Sequence, residues 1–208
     1  MTITYWGHSC FRVEQEGYTL VLDPFTQIPG LPDTAGAADA ALCSHSHFDH
    51  NYTDQLQLSG RQDSPFAVRT VDVFHDDQNG ALRGPNRIHI LTAGGITLVH
   101  LGDLGHQLTA DQISEIGPLD VLLVPVGGTY TVDSAGAEAV VEALKPRVVV
   151  PMHYRSGAIG LQVLQSVEDF LALRPAGEIR RYDRDGISTL TVTADTPAQT
   201  AVLAIAGR

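Results

Sequence analysis

Residues 45–51 read His45-Ser46-His47-Phe48-Asp49-His50-Asn51, so three of the chain's nine histidines and one aspartate fall within seven positions. Imidazole and carboxylate in this density are ligand types for Zn²⁺, and also for Fe or Mn. His45 and His47 are two residues apart, and in an extended segment positions i and i+2 point the same way, so both imidazoles can reach one cation. Asp49 and His50 follow on a turning loop and can face a second point close by. A His-rich surface loop with no chemistry is the plain alternative, and so dense a run of ligand types argues against it.

Other candidates stand alone in the sequence. His75 (FHDDQNG), Asp103 (HLGDLGH) and His153 (PMHY) each follow a β-rich run. Taken singly, His75 reads as a polar strand end. Asp76 and Asp77 beside it are rivals as acceptors for imidazole N–H groups, with simple solvation the plainer reading. His8 (WGHSC) and His106 (DLGHQ) fit either a hydrogen-bonded structural role or contact with metal ligands or substrate. His89 and His100 lie within expected strands and read as hydrogen-bonded core histidines. Asp23, before Pro24, is positioned to accept a hydrogen bond from a ligand histidine and fix its tautomer, or else to end a strand in an Asp-Pro turn. Tyr130, Tyr154 and Arg155 are candidates for holding substrate, against the alternative of an exposed rim. Gly127-Gly128 reads as a tight turn under the site.

The run from His45 to His50 resembles the HxHxDH motif of the metallo-β-lactamase superfamily. GHSCF at the N-terminus, DPF at 23–25, GDLG at 102–105 and PVGG at 125–128 resemble the branch that includes the ascorbate-6-phosphate lactonase and the N-acylphosphatidylethanolamine phospholipase D. The resemblance implies an α/β fold, a four-layer αββα sandwich with metals at one edge between the sheets. It implies that His45, His47 and His75 bind a first metal and that Asp49, His50 and His153 bind a second, with Asp103 bridging them. The expected cofactors are two divalent ions, zinc first, with manganese or iron as alternatives. A metal pair about 3.5–4 Å apart holds a hydroxide at neutral pH and polarises a carbonyl or phosphoryl oxygen. The chemistry implied is hydrolysis of an ester, lactone or phosphodiester, with Asp49 and Asp103 as catalytic carboxylates and Asp49 doubling as proton shuttle. Arg155, next to His153, suggests a small anionic substrate. Two further readings stay open: a di-iron oxygen- or nitric-oxide-type redox protein needing a separate electron donor, and a metal-stabilised binding protein without turnover.

Such ligands, scattered over four chain segments, need a rigid scaffold to meet. Short strands are expected at 2–6, 10–14, 19–23, 40–43, 66–74, 86–91, 96–101, 119–124 and 147–151. The end of the chain adds strands at 178–182, 187–193 and 200–206. Thr109-Ala110-Asp111-Gln112 has the form of a capping box opening one helix. Asp133 caps a second that runs through Leu144 and stops before Pro146, and a third is expected over 161–173. Residues 24–38, rich in Pro, Gly and Ala, read as a loop. A chain of 208 residues, 43% hydrophobic and 18% charged, suits one globular domain over its whole length. A net charge of −11 argues against a nucleic-acid partner. The absence of an early apolar run after positive charge, and of any bilayer-length apolar stretch, points to a cytoplasmic protein without a membrane partner. Cys10 and Cys43 read as free thiols of a reducing compartment. The expected partner is a small-molecule substrate, with a homo-oligomer open.

Overall fold

The computed structural model describes residues 1–207. The first strands are β1 (Thr2–Gly7), β2 (Cys10–Gln15), β3 (Tyr18–Leu22), β4 (Gly36–Ala38), β5 (Ala40–Leu42) and β6 (Leu56–Leu58). Then come β7 (Ala67–Phe74), β8 (Pro85–Ala93), β9 (Ile96–His100), α1 (Ala110–Ile116), β10 (Val121–Pro125), α2 (Ser134–Leu144) and β11 (Val148–Met152). The chain ends with α3 (Val167–Leu171), β12 (Ile179–Arg181), β13 (Thr189–Thr191) and β14 (Gln199–Val202).

Two sheets face one another. One has five strands in the order β13-β1-β2-β3-β5, the other seven in the order β12-β14-β11-β10-β9-β8-β7, and β4 and β6 form a small parallel pair. Residues of both sheets share one core, in which Ile3, Phe11 and Leu22 meet the cluster of Ile90, Leu98, Val99 and Leu123. β1 alternates as a half-covered strand should, with Ile3 and Tyr5 inward. β10 (VLLVP) and β11 (VVVPM) are buried at every position and pair in parallel, with α2 as the crossover between them. Ala137, Val140, Val141 and Leu144 of α2 join the core. On the other side, Cys10 and Val21 pack with Phe25, Ile28, Ala38 and Leu56, so the outer face of the five-stranded sheet is covered in part by residues 24–38 and the small β4-β6 pair. Among the described residues, no helix is long and apolar enough to cross a membrane.

Strand direction decides where the chemistry gathers. β1 and β3 are each antiparallel to β2, and β5 is parallel to β3, so β1, β3 and β5 run the same way. β7 and β9 are each antiparallel to β8, and β9, β10 and β11 are mutually parallel. The carboxyl ends of β1, β3, β5, β7, β9 and β11 lead into His8, Asp23, the 45–50 loop, His75, Asp103 and His153.

Both expected caps are present: Thr109 accepts from the Gln112 amide while Gln112 bonds back, and the Asp133 carboxylate accepts from the Gly136 amide at 2.8 Å. The third helix is shorter than its 161–173 pattern and covers only Val167–Leu171. Tertiary hydrogen bonds hold the preceding residues out of a helix: the Gln165 amide donates to Gly127 O at 2.8 Å, and Gln165 O accepts from the Arg155 amide at 3.1 Å. The expected loop over 24–38 contains β4, because its backbone finds a partner in β6, a strand of only three residues whose pattern is too short to stand out in the sequence. The three C-terminal strands are shorter than expected.

Candidate metal centre

Asp23 organises two of the histidines. Its carboxylate accepts from the Ser44 amide (2.7 Å), the Ser44 hydroxyl (2.7 Å) and His50 Nδ1 (2.8 Å), and it is fully buried. A carboxylate there accepts only, so His50 carries its proton on Nδ1 and its Nε2 is a bare lone pair when the ring is neutral. The Ser44 hydroxyl proton is committed to Asp23, so Ser44 Oγ accepts from His45 Nδ1 at 2.9 Å. His45 is thereby set as the same tautomer, with Nε2 free.

These free nitrogens converge on Asp103. One oxygen of its carboxylate, Oδ2, stands 3.2 Å from the Nε2 atoms of His50, His75 and His153. Asp103 Oδ1, His45 Nε2, His50 Nε2, His75 Nδ1 and His153 Nδ1 are buried without a hydrogen-bond partner among the described residues. Leaving Asp103 Oδ1, His45 Nε2 and His50 Nε2 unpaired in one place would be costly, and cations among them would satisfy these atoms, whereas Nδ1 of His75 and of His153 points away from the nitrogen that faces Asp103. Burial lowers the His50 imidazole, but Asp103 and Asp23 on its two sides outweigh that and raise it well above its ordinary value. A proton on His50 satisfies one pair; divalent cations satisfy the cluster.

Three groups of potential ligand atoms lie within 4.8 Å: His45, His47 and His75; His45, His50 and Asp103; and His8, His50 and His153. Asp49 sits between, its Oδ2 3.3 Å from His8 Nε2 and 3.8 Å from His50 Nε2. Burial, reinforced by His50, brings His45 down to about 3, and burial with His153 brings His8 down to about 4. Burial raises the Asp103 carboxyl, and His153 and His50 more than reverse it, to well below the ordinary range. Neutral His45 and His8 beside an ionised Asp103 are in protonation states that bind a metal, and at His50 a metal would take the place of the proton. The residues present therefore fit divalent metal.

The frame around Asp103 is built without side chains where space is shortest. A Cβ at Gly102 (φ +54) would strike Ser44 and Asn86, and one at Gly105 would strike the backbone of His75 and Asp76. Asn86 Oδ1 accepts from the Asp103 amide at 3.0 Å while its Nδ2 donates to Leu101 O at 2.8 Å, fixing the loop after β9.

A cavity of about 410 Å³ opens over the cluster, lined by His47, Asp49, His75 and Asp103, and by Phe48, Arg83, Tyr130 and Leu161. Tyr130 is thus brought to the site. Three other candidates are not. His106 accepts from the Phe74 amide (3.2 Å) and donates to Gln107 O (2.8 Å), so its ring braces the end of β7. Tyr154 is buried in the core with its ring 6.3 Å from that of Tyr5. Arg155 lines a different cavity of about 350 Å³ with Glu168, Arg181 and Asp183, because the bond from its amide to Gln165 turns the chain away. His100 is bonded through both nitrogens, to Ser9 O and the Gly102 amide, whereas buried His89 has neither nitrogen paired among the described residues. Cys10 and Cys43 are free, and burial, with Asp23 nearby, pushes the Cys43 thiol up to about 12.

Sequence reasoning passed over Ser44, Asn86 and Arg83, and took Asp76 as solvated. Asp76 is buried, and its carboxylate accepts from four backbone amides, those of Gln78, Gly80, Leu82 and Arg83, at 2.8–3.0 Å. The available signal was Asp76 followed by Asp77-Gln78-Asn79-Gly80, an Asx-type loop.

The model of the beta-lactamase superfamily domain matches residues 2–153, a span that ends on the last histidine of the cluster. The chain belongs to the metallo-β-lactamase superfamily. Among its relatives, a UPF0173 metal-dependent hydrolase of Carboxydothermus hydrogenoformans is 32% identical over 196 residues, covering 75% of this chain and 85% of that protein. A solved structure from Thermotoga maritima, described as a candidate Zn-dependent hydrolase of this superfamily, superposes with a TM-score of 0.75 at 35% identity and covers 98% of both chains. A structure described as a novel metallo hydrolase from Ignicoccus hospitalis is similar in fold, with a TM-score of 0.57 at 24% identity over 77% of this chain and 86% of that one.

Proposed function

We propose that the protein is a metal-dependent hydrolase that holds two divalent ions, zinc first, and cleaves an ester, lactone or phosphodiester bond in a small, anionic substrate. The observation that carries this reading is the single oxygen of Asp103 placed 3.2 Å from three imidazole nitrogens that belong to both ligand sets. His45, His47 and His75 would hold one ion, Asp49, His50 and His153 the other, and Asp103 would be shared. Such a pair supplies an activated water at neutral pH and a Lewis acid for the carbonyl or phosphoryl oxygen.

The chain's own groups do the rest. Asp23 holds His50 directly and His45 through Ser44, which keeps both rings in one tautomer and orientation. Asp49 lines the cavity, with His8 behind it at 3.3 Å. It accepts the proton given up by the attacking water and returns it to the leaving group. The names of the relatives support the hydrolase reading, and the donor set supports two ions.

Elemental analysis of protein purified without chelator tests it, beside a screen with generic esters and bis-p-nitrophenyl phosphate. About two equivalents of zinc per chain and metal-dependent turnover are expected. A saturated stoichiometry of one, unchanged by added metal, would overturn the dinuclear centre.

A further inference from the structure

Resting on the hydrolase reading above, we infer that Arg83, with Tyr130, Phe48 and Leu161, is the specificity-determining face of the cavity. It takes substrates that carry a carboxylate or phosphate group beyond an apolar stretch next to the scissile bond. The cavity of about 410 Å³ has the size of a small-molecule site, not of a polymer groove. Its floor is the ligand cluster. Its wall is apolar, with Phe48 56% exposed and Tyr130 37% exposed, unusual for large aromatic side chains in a chain with an intact core. Arg83 is the one arginine or lysine among its lining residues.

Arg83 is held, not loose. Its amide donates to Asp76 Oδ2 at 2.8 Å, and the Gly84 carbonyl at the end of the same loop accepts from the His75 amide at 3.1 Å. The arginine is therefore fixed relative to a metal-site histidine. Its guanidinium lies 5.6 Å from the centre of the Tyr130 ring, and Nη2 donates to Thr129 O at 3.3 Å. A guanidinium has five donors in a planar fork, so stacking on Tyr130 leaves an edge for two parallel bonds to an oxyanion. In a chain of net charge −11, a cation at this mouth is a local exception, and it offers an anion a landing point apart from the metals. Arg155, which the sequence suggested for this role, opens onto the other cavity.

The test pairs p-nitrophenyl hemiglutarate with p-nitrophenyl pentanoate on the zinc-loaded protein, for wild type, Arg83→Ala, Arg83→Lys and Arg155→Ala. Arg83→Ala should lower kcat/KM for the hemiglutarate at least 10-fold and for the pentanoate less than 2-fold. Arg83→Lys should recover the hemiglutarate only in part, and Arg155→Ala should change neither. Calorimetric titration with pentanoate and with butyl phosphate reads binding without turnover and tells carboxylate from phosphate. At least one should bind, and that one at least 10-fold more weakly to Arg83→Ala. Equal losses on both esters, no loss on either, or anion binding unchanged by Arg83→Ala would overturn the assignment. If wild type cleaves neither ester, the hydrolase reading is in question for these bonds while the titration still decides the role of Arg83.

Discussion

His8 and His153 brace one another. The His153 amide donates to the His8 carbonyl at 2.8 Å, and the two rings stand 4.3 Å apart. Both residues have left-handed backbone, with φ of 53° and 54°. That conformation is costly for a residue with a side chain and persists where the surroundings impose it. The Tyr5 hydroxyl, also donating to His8 O at 3.0 Å, completes the clamp. The turn after β1 in one sheet is thus tied to the end of β11 in the other, on the buried side of the ligand cluster.

This clamp predicts that His8→Asn, which tolerates left-handed backbone, folds with nearly unchanged melting while losing the contact to Asp49 Oδ2. Zinc affinity or turnover should fall by roughly 10–100-fold, the usual scale for a residue that orients a ligand. Zinc competition with a chromophoric chelator reads the first and ester hydrolysis the second. Wild-type values for both would remove His8 from the site.

Asp103→Asn keeps the shape and removes the charge between the three imidazoles. The loss should exceed that of His8→Asn in both zinc content and turnover, because on the function proposed above Asp103 would be a shared ligand and not merely an orienting contact. His89→Gln is the contrast: it alters stability and leaves metal content alone. A variant of Asp103 that keeps both metals and near wild-type turnover would place this carboxylate outside the centre.

Much of this arrangement was legible in the sequence, and for a physical reason. Alternation in β1 and apolar runs such as β11 mark the strands, which puts His45, His47, His75, Asp103 and His153 at strand ends, and the resemblance to the superfamily's motifs joins them into one ligand set. The wall of the cavity was not legible. Arg83 reaches it only because Asp76 gathers four amides and folds residues 76–84 back over His75. Arg155 leaves it because Gln165 draws its amide elsewhere. Both outcomes are set by side-chain and loop hydrogen bonds with no periodic trace. The third helix was overestimated for the same cause.

Removing the metals should lower the melting temperature, since the ligands meet only in the folded chain. At a free ion concentration 100 times Kd the linkage is worth about 2.7 kcal/mol. For a domain of this size that corresponds to roughly 5–10 °C. Calorimetry before and after dialysis against chelator measures it, and readdition of zinc should restore the loss. Identical melting of the two forms would mean that the cluster does not couple to folding.

At the end of the sheet away from the metals, Asp120 carries a pH-dependent part of the stability. Its Oδ2 accepts from the Thr97 amide at 2.9 Å and its Oδ1 from Arg147 Nη2 at 2.8 Å, tying the starts of β9, β10 and β11. Partial burial raises this carboxyl, and the Thr97 amide and Arg147 more than offset it, so the folded pKa lies below the ordinary value. A depressed carboxylate stabilises the fold above its unfolded pKa of about 3.9, and that contribution fades as pH falls through the lower folded value. Asp120→Asn should therefore cost about 1–2 kcal/mol at pH 7, the scale of hydrogen bonds to a charged group, trimmed by solvent screening at this partly exposed pair. Below pH 4 the gap between variant and wild type should narrow, because the unfolded chain then takes up a proton at Asp120 that the folded state resists. Urea unfolding at pH 7 and at pH 3 measures both numbers. A gap that stays constant or widens on acidification would show that the charge of Asp120 contributes nothing and that its role is steric.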